Sequence, residues 1–168
     1  LPQVLSSDTT VGIMGMGVLG SAAASLLQQM GFKVLGWSRT RKALPGVTSY
    51  VGASELPQFL CHSRILVLLL PLTRETSQIM NANCFGQMPQ GSFLVNAGRG
   101  ELVVENDLVA ALDSRQIAGA ALDVFGEEPL PPEHRFWDDP AVVITPHVAS
   151  ITNPELASVK IVSNIRRH

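Results

Sequence analysis

Three polar side chains follow the ends of predicted strands and could together carry out proton transfer. Arg99 lies in NAGRG, Glu128 in DVFGEEPLP and His147 in TPHVAS. Ligands of open parallel sheets bind at the carboxyl ends of the strands. An imidazole can exchange a proton near neutral pH, and a guanidinium can stabilise a developing negative charge. Taken singly, each residue also has an ordinary interpretation: a surface Arg, one of two solvated acids, and a His in a turn.

A glycine-rich turn earlier in the chain predicts a dinucleotide site. It matches the pattern G-x-G-x-x-G, as Gly15-Met16-Gly17-Val18-Leu19-Gly20. The motif follows a predicted strand at Thr10–Met14, opens a helix and leads to a second strand at 32–37, which is the context that makes it specific. Gly15 permits the tight turn, Gly17 lets a pyrophosphate approach the backbone, and Gly20 lets helix and strand pack closely. The phosphates would meet the free N–H groups of the helix. The alternative is three glycines that only make a turn.

The residues after the second strand predict NADP(H), with NAD(H) as a weaker alternative. Sites that take NAD(H) usually carry an acid here, which bonds the ribose hydroxyls and would repel a 2′-phosphate. This chain has Ser38, which cannot repel a phosphate, followed by Arg39 and Arg41. Guanidinium groups suit phosphate geometry. Lys42 is the weakest candidate of the three cations, and a solvated basic turn is the interpretation without a ligand.

The remaining chain alternates between strand and helix patterns. This alternation predicts an α/β fold, a doubly wound parallel sheet of Rossmann type with helices on both faces. Further strands are expected at 47–51, 65–70, 92–97, 119–124 and 141–145. Helices are expected at 21–30, 54–62 with Ser54 as the cap, 74–87, 106–116 and 153–168. We expect one dinucleotide-binding domain over residues 1–168, with its core at about 10–152.

Composition argues against several classes of function. The net charge of −2 gives no general attraction to nucleic acid or to an anionic membrane. The longest apolar run, ILVLLL, is far shorter than the roughly 18 residues needed to cross a bilayer. Cys61 and Cys84 fit no metal spacing, so no metal is expected, and reduced thiols favour a cytoplasmic location. His62, His134 and His168 follow no strand end, and we expect them to be exposed to solvent.

Together these motifs resemble the NAD(P)-dependent D-2-hydroxyacid dehydrogenases, and within them the glyoxylate/hydroxypyruvate reductase A branch. The resemblance runs from Val11 to about Pro154 and is carried by WSRTRK, ALDVFGEEPLP and TPHVASITNP. The spacing also fits, with 29 residues from Arg99 to Glu128 and 19 from Glu128 to His147. The resemblance implies reduction of a small 2-oxo acid, with His147 as the proton donor, Glu128 as its partner and Arg99 as the substrate anchor.

The resemblance also implies cofactor contacts outside the glycine motif. Asp123 resembles the family's acid near the nicotinamide carboxamide, and LPLTRET resembles the loop on the nicotinamide side. Arg99 and His147 would contact the cofactor as well as the substrate. The remaining implied contacts are Leu70, Pro71, Thr76, Ala97, Gly98 and Ser150.

Members of this family have a second, substrate-binding domain, and only 14 residues precede Gly15, too few for a second core. We therefore expect the dinucleotide-binding domain alone, inactive by itself, with residues 153–168 leading back to the second domain. A homodimer is implied by resemblance only. Two alternatives stay open: a non-catalytic module that senses NAD(P), and a β-hydroxyacid dehydrogenase. The latter needs a catalytic Lys in a later helix, whereas Lys160 lies outside any matching motif.

Overall fold

A seven-stranded parallel sheet forms the centre of the computed structural model, which describes residues 8–150. The strand order is β3-β2-β1-β4-β5-β6-β7, and every neighbouring pair is parallel. The strands are β1 (Thr10–Met14), β2 (Lys33–Ser38), β3 (Val47–Val51), β4 (Ile65–Leu68), β5 (Ser92–Asn96), β6 (Ile117–Leu122) and β7 (Val142–Ile144). β2 and β3 are added on one side of β1, and β4 to β7 on the other side. The boundary between β1 and β4 is therefore the switch point of a Rossmann-type fold. The predicted fold class is confirmed.

Helices flank both faces of the sheet. Within the described residues they are α1 (Val18–Gln29), α2 (Gly52–Cys61), α3 (Ala82–Gln87) and α4 (Glu105–Asp113). Successive strand residues point to opposite faces. Val34 of β2 accordingly packs with Ala24 of α1 in one buried cluster, whereas Leu35 and Trp37 belong to a larger cluster. That larger cluster contains the buried side chains of α2, α3 and α4.

The predicted helix over 74–87 is wrong in its first half. Residues 74–78 form turns, and Gln78 has a positive φ of 55°. The Thr76 hydroxyl donates to the carbonyl of Pro71 at 2.7 Å, and such side-chain bonds to the backbone compete with a helix. Only α3 remains helical, beginning after Asn81, whose side chain accepts the N–H of Cys84.

The predicted cap of α2 is also wrong, although the helix exists. α2 begins at Gly52, two residues before Ser54. The N–H of Val51 donates instead to the carboxylate of Glu55 at 2.7 Å, an interaction inside the first turn. The other predicted elements within residues 8–150 are confirmed, β1 and β3 with the predicted bounds and the rest with boundaries shifted by a few residues.

All the loops that could form a site lie at one edge, because the carboxyl ends of parallel strands meet there. These loops follow β1, β2, β4, β5, β6 and β7. The predicted final helix at 153–168 lies outside the described residues. Within residues 8–150, no helix has the length and apolar character needed to cross a membrane.

Candidate active site

The glycine turn after β1 brings the chain into α1 with very little space. Gly15 has a φ of 109°, and a Cβ there would lie 2.6 Å from the carbonyl oxygen of Leu69. A Cβ at Gly20 would overlap the carbonyl oxygen of Gly15, so α1 can approach the turn only without a side chain. Gly17 faces open space, and a Cβ there would have no atom within 4 Å. No side chain caps α1 and no acid lies in its first turn, so its N–H groups are available to an anion.

A groove of about 780 Å³ runs from this turn past the end of β2. Ser38 is buried and its hydroxyl donates to the carbonyl of Thr40 at 2.7 Å. Arg39 and Lys42 both line the groove. Glu75 lines it too; a hydrogen bond with Thr73 is the main cause that lowers the pKa of Glu75, and the charge of Arg39 lowers it further. Among the described residues, the groove lining therefore carries two cations and one anion.

Arg41 does not line that groove, and its guanidinium forms hydrogen bonds within the protein. Its guanidinium donates to the carboxylate of Glu55 at 2.7 Å and to the carbonyl of Ser49 at 2.6 Å. These bonds tie the basic turn to α2 and β3. Of the three cations that the sequence places after β2, Arg39 and Lys42 are thus the two directed to the groove.

His147 and Glu128 form a hydrogen-bonded pair at the end of β7. Nδ1 of His147 lies 2.8 Å from Oε2 of Glu128, and the other carboxylate oxygen accepts the N–H of Phe125 at 3.0 Å. The hydrogen bond with His147, followed by that with Phe125, lowers the pKa of Glu128, and the charge of Arg99 adds to this effect. Glu128 is therefore a carboxylate at neutral pH. Glu128 accepts a hydrogen bond from Nδ1 of the half-exposed imidazole, so Nε2 takes no part in this pair.

Asp123 holds the turn that carries His147. Its side chain is only 5% exposed, and it accepts hydrogen bonds from the Thr145 hydroxyl at 2.5 Å and from the N–H groups of Val148 and Ala149 at 2.9 Å each. Burial, the largest single influence, raises the pKa of Asp123, but the three hydrogen bonds outweigh it and the pKa is lowered. The carboxylate is therefore charged, and both of its oxygens accept hydrogen bonds from groups of the protein itself.

Asp123→Asn should reduce the free energy of unfolding by about 1–3 kcal/mol at pH 7, because a charged acceptor is replaced by a neutral amide. The folded pKa of Asp123 is lowered, so its carboxylate stabilises the fold above the unfolded value of about 3.9. That contribution is lost as the pH falls through the folded pKa. Urea unfolding of both proteins should therefore show a full difference at neutral pH that shrinks below about pH 4. A difference independent of pH would contradict this assignment.

Arg99 leaves β5 in a loop that contacts the loop of Glu128. Its side chain donates to the carbonyl of Gly98 at 2.6 Å, and Asn96 fixes the loop through the carbonyl of Arg99 at 2.9 Å. The next residue, Gly100, packs so closely that a Cβ would overlap the carbonyl group of Phe125. This contact between main chains brings Arg99 near enough for its charge to act on Glu128.

The structure brings some of the predicted cofactor residues together in the groove, and two more line a second cavity. The groove is lined by Gly15, Met16, Gly17, Ser38, Arg39, Leu70, Pro71 and Thr76. Asp123 and His147 line a second cavity, of about 570 Å³, together with Glu128. The other predicted contacts fall outside the lining of both within the described chain: Val18, Leu19, Gly20, Arg41, Ala97, Gly98, Arg99 and Ser150. Gly20 and Gly98 are buried, and a Cβ at either position would lie within 3.0 Å of neighbouring atoms.

Some contributing residues give little signal in the sequence. Thr145 stands two residues before His147, and only the fold brings it to Asp123, 22 residues away. The prediction that His134 is exposed is wrong. Its Nε2 lies 2.8 Å from Glu105 and its Nδ1 accepts the N–H of Phe136, so the ring is largely enclosed. His62 is exposed as predicted, and His168 lies outside the described residues.

Comparison with known proteins gives a consistent result. Residues 2–149 match the family described as D-isomer specific 2-hydroxyacid dehydrogenase, NAD binding domain. The chain is similar to a D-isomer specific 2-hydroxyacid dehydrogenase from Xanthobacter autotrophicus Py2, solved in complex with NADPH and MES. That similarity has 47% identity and a TM-score of 0.96, and covers 99% of this chain and 69% of that one.

The chain is also similar to two further solved structures. The chain is 47% identical, with a TM-score of 0.94, to the NADPH-dependent glyoxylate/hydroxypyruvate reductase from Sinorhizobium meliloti in complex with NADP and sulfate. The match covers 99% of this chain and 54% of that one. Similarity to D-lactate dehydrogenase with NAD+ from Lactobacillus jensenii is lower, at 29% identity and a TM-score of 0.80, over 89% of this chain and 48% of that one. The chain thus spans between about half and two thirds of the length of these structures.

Proposed function

The chain belongs to the D-isomer specific 2-hydroxyacid dehydrogenase family, and we propose that it binds NADPH and supplies the proton donor in the reduction of a small 2-oxo acid. The observation that carries this proposal is the His147–Glu128 pair, with Nδ1 and Oε2 2.8 Å apart beside the loop of Arg99. An imidazole held by a carboxylate at one nitrogen can donate a proton from the other. The product would be the D-2-hydroxy acid.

The residues at the sheet edge fit NADPH. Gly17 leaves space above the uncapped start of α1, where a pyrophosphate could accept N–H groups. Arg39 and Lys42 line the groove where the ribose would lie, and neither is an acid that would repel a 2′-phosphate. When bound, NADPH supplies the hydride for the carbonyl carbon. A dehydrogenase and a reductase to which the chain is similar were solved with NADPH and with NADP, respectively.

The remaining chemistry belongs to three side chains. Nε2 of His147 would donate a proton to the substrate carbonyl oxygen as negative charge develops there, and Glu128 would keep the ring oriented through Nδ1. Arg99, whose side chain is exposed and forms no salt bridge among residues 8–150, would bind the substrate carboxylate and stabilise the oxyanion. Oxidation of the hydroxy acid would use the same groups in reverse, with neutral imidazole as the base.

The substrate is proposed to be glyoxylate or hydroxypyruvate, as in the Sinorhizobium meliloti reductase to which the chain is similar. We further propose that a second domain supplies the other wall of the site. His147 is half exposed in this chain, and a site for carbonyl reduction benefits from the exclusion of water. A homodimer and a cytoplasmic location complete the proposal; unpaired Cys61 and Cys84 agree with a reducing compartment.

The test is a turnover assay of the product of the full reading frame with glyoxylate, hydroxypyruvate and NADPH. Oxidation of NADPH at the rate at which hydroxy acid appears is the expected result. Tight binding of NADPH without turnover of any oxo acid would reject the proposal and favour a module that senses the cofactor. Turnover confined to 3-hydroxy acids would favour a β-hydroxyacid dehydrogenase.

Arg39→Ala should weaken NADPH binding about 10- to 100-fold, because a charge-assisted hydrogen bond contributes about 1.5–3 kcal/mol. Binding of NADH, which has no 2′-phosphate, should change little. Calorimetry with both cofactors measures the effect.

Arg41→Ala is the matched control, since Glu55 and the Ser49 carbonyl already occupy that guanidinium. We expect a smaller loss for Arg41→Ala than for Arg39→Ala, with Lys42→Ala between them. An equal loss in the two arginine variants would mean that Arg41 leaves Glu55 to bind the phosphate.

A further inference from the structure

The turn that carries His147 has an unusual backbone conformation. His147 has a φ of 54°, in the left-handed region that residues other than glycine seldom adopt. Its N–H donates to the carbonyl of Asp123 at 2.9 Å and to that of Thr145 at 3.1 Å. The direction of the imidazole therefore depends on whatever keeps this turn in place.

The turn is held by a single buried carboxylate. Oδ1 of Asp123 accepts from the Thr145 hydroxyl and from the N–H of Val148, and Oδ2 accepts from the N–H of Ala149. The donors lie on both sides of His147 in the sequence: Thr145 precedes it by two residues, and Val148 and Ala149 directly follow it. Apart from Glu128, which bonds the ring of His147, the turn has no other side-chain acceptor among the hydrogen bonds of the described residues.

Two of the three donors belong to the main chain, which any residue would supply. Thr145 is the one side chain that donates to Asp123 within the described chain, at 2.5 Å. The carboxylate torsion of Asp is broad and nearly two-fold, so a carboxylate is easily rotated unless its oxygens are held. Removal of the hydroxyl would leave each oxygen with a single main-chain donor, so the carboxylate would be held less firmly in its orientation.

From this geometry we propose that Thr145 is a positioning residue for the proton donor. Its hydroxyl holds Asp123 in the orientation that locks the turn, and the locked turn directs Nδ1 of His147 to Glu128. The inference rests on the proposed function, in which Nε2 of His147 donates the proton. It also gives Asp123 a role within the protein in addition to the contact with the nicotinamide that the family resemblance implies.

The test compares Thr145→Val with Thr145→Ser. Valine has the same shape without the hydroxyl, and serine keeps the hydroxyl without the methyl group. In the assay with glyoxylate and NADPH, Thr145→Val should lower kcat about 10- to 100-fold, because a misplacement of about 1 Å can cost that much. The KM values for both substrates should stay near those of the wild type, and Thr145→Ser should recover most of the rate.

A second readout does not require turnover. The Nδ1 proton shared between His147 and Glu128 should give a downfield proton resonance in the wild type and in Thr145→Ser. This resonance should broaden or vanish in Thr145→Val. If the wild type reduces no oxo acid, the proposed function fails, while the resonance still tests the positioning role.

The outcomes separate positioning from a general structural role. An unchanged kcat together with an unchanged His147 resonance in Thr145→Val would overturn the inference. Equal losses of kcat and stability in both variants, without recovery by serine, would also overturn it. Should Thr145→Val fail to fold, Thr145→Ala removes the same hydroxyl with less bulk and gives the same comparison.

Discussion

His147→Gln should remove almost all oxo-acid reduction, with kcat lower by a factor of about 10² to 10⁴, the usual loss for a general acid. The amide of Gln can occupy a similar volume and accept a hydrogen bond, but it cannot release a proton to a carbonyl oxygen. Binding of NADPH should remain near that of the wild type, because the groove residues are unchanged. Steady-state reduction of glyoxylate and calorimetry with NADPH measure the two quantities.

Two matched controls sharpen this prediction. His62→Gln changes an exposed imidazole that bonds locally to the carbonyl of Gln58, and it should leave the rate unchanged. Glu128→Gln should lower kcat, because the amide no longer offers two acceptor oxygens to His147 and Phe125. The neighbouring Glu127→Gln should not. A loss of rate in Glu127→Gln that equals the loss in Glu128→Gln would contradict the pairing.

Gly100→Ala should destabilise the protein by about 1–3 kcal/mol or more, as overpacking of a close contact does. The added Cβ would overlap the carbonyl group of Phe125, and a main chain cannot rotate out of the way as a side chain can. The loop of Arg99 and the loop of Glu128 would have to separate. Urea unfolding measures the change in the free energy of unfolding, and the assay should show a loss of activity in the folded fraction.

Gly126→Ala is the control for that substitution. Gly126 lies on the other side of the same contact, yet a Cβ there would have no atom within 4 Å. We expect its stability to stay within about 0.5 kcal/mol of the wild type, as for most surface changes. Equal destabilisation by the two alanines would show that the loops are sensitive to any side chain, and that the close approach at Gly100 is not the cause.

The fold class and the strands could be predicted because their signals are local. β1 and β3 have the predicted bounds, since short runs rich in β-branched residues between glycines and polar turns indicate strands without knowledge of their partners. The glycine motif is readable for the same reason: strand, turn and helix are consecutive in the chain. The predicted helix fails over 74–80, where part of the cause is distant in the sequence: the N–H groups of Gln78 and Met80 donate to carbonyls of the segment 101–102, which lies beyond the next helix.

Part of the candidate site could likewise be predicted from the sequence. Arg99, Glu128 and His147 could be selected from the sequence because each follows a strand, and parallel strands bring their carboxyl ends to one edge. Their types and spacing also carry the family resemblance. The sequence alone determined which side chains are available for the chemistry and at which edge of the sheet they gather.

Only the tertiary structure decided how those side chains are held. Arg41 pairs with Glu55, 14 residues away, Thr145 with Asp123, 22 residues away, and His134 with Glu105, 29 residues away. A hydrogen bond requires a donor–acceptor distance correct to a few tenths of an ångström and a nearly straight angle at the hydrogen. Both follow from the packing of whole helices and strands, and not from any local sequence pattern. The direction of His147 and the choice between Arg39 and Arg41 are therefore properties of the folded sheet edge.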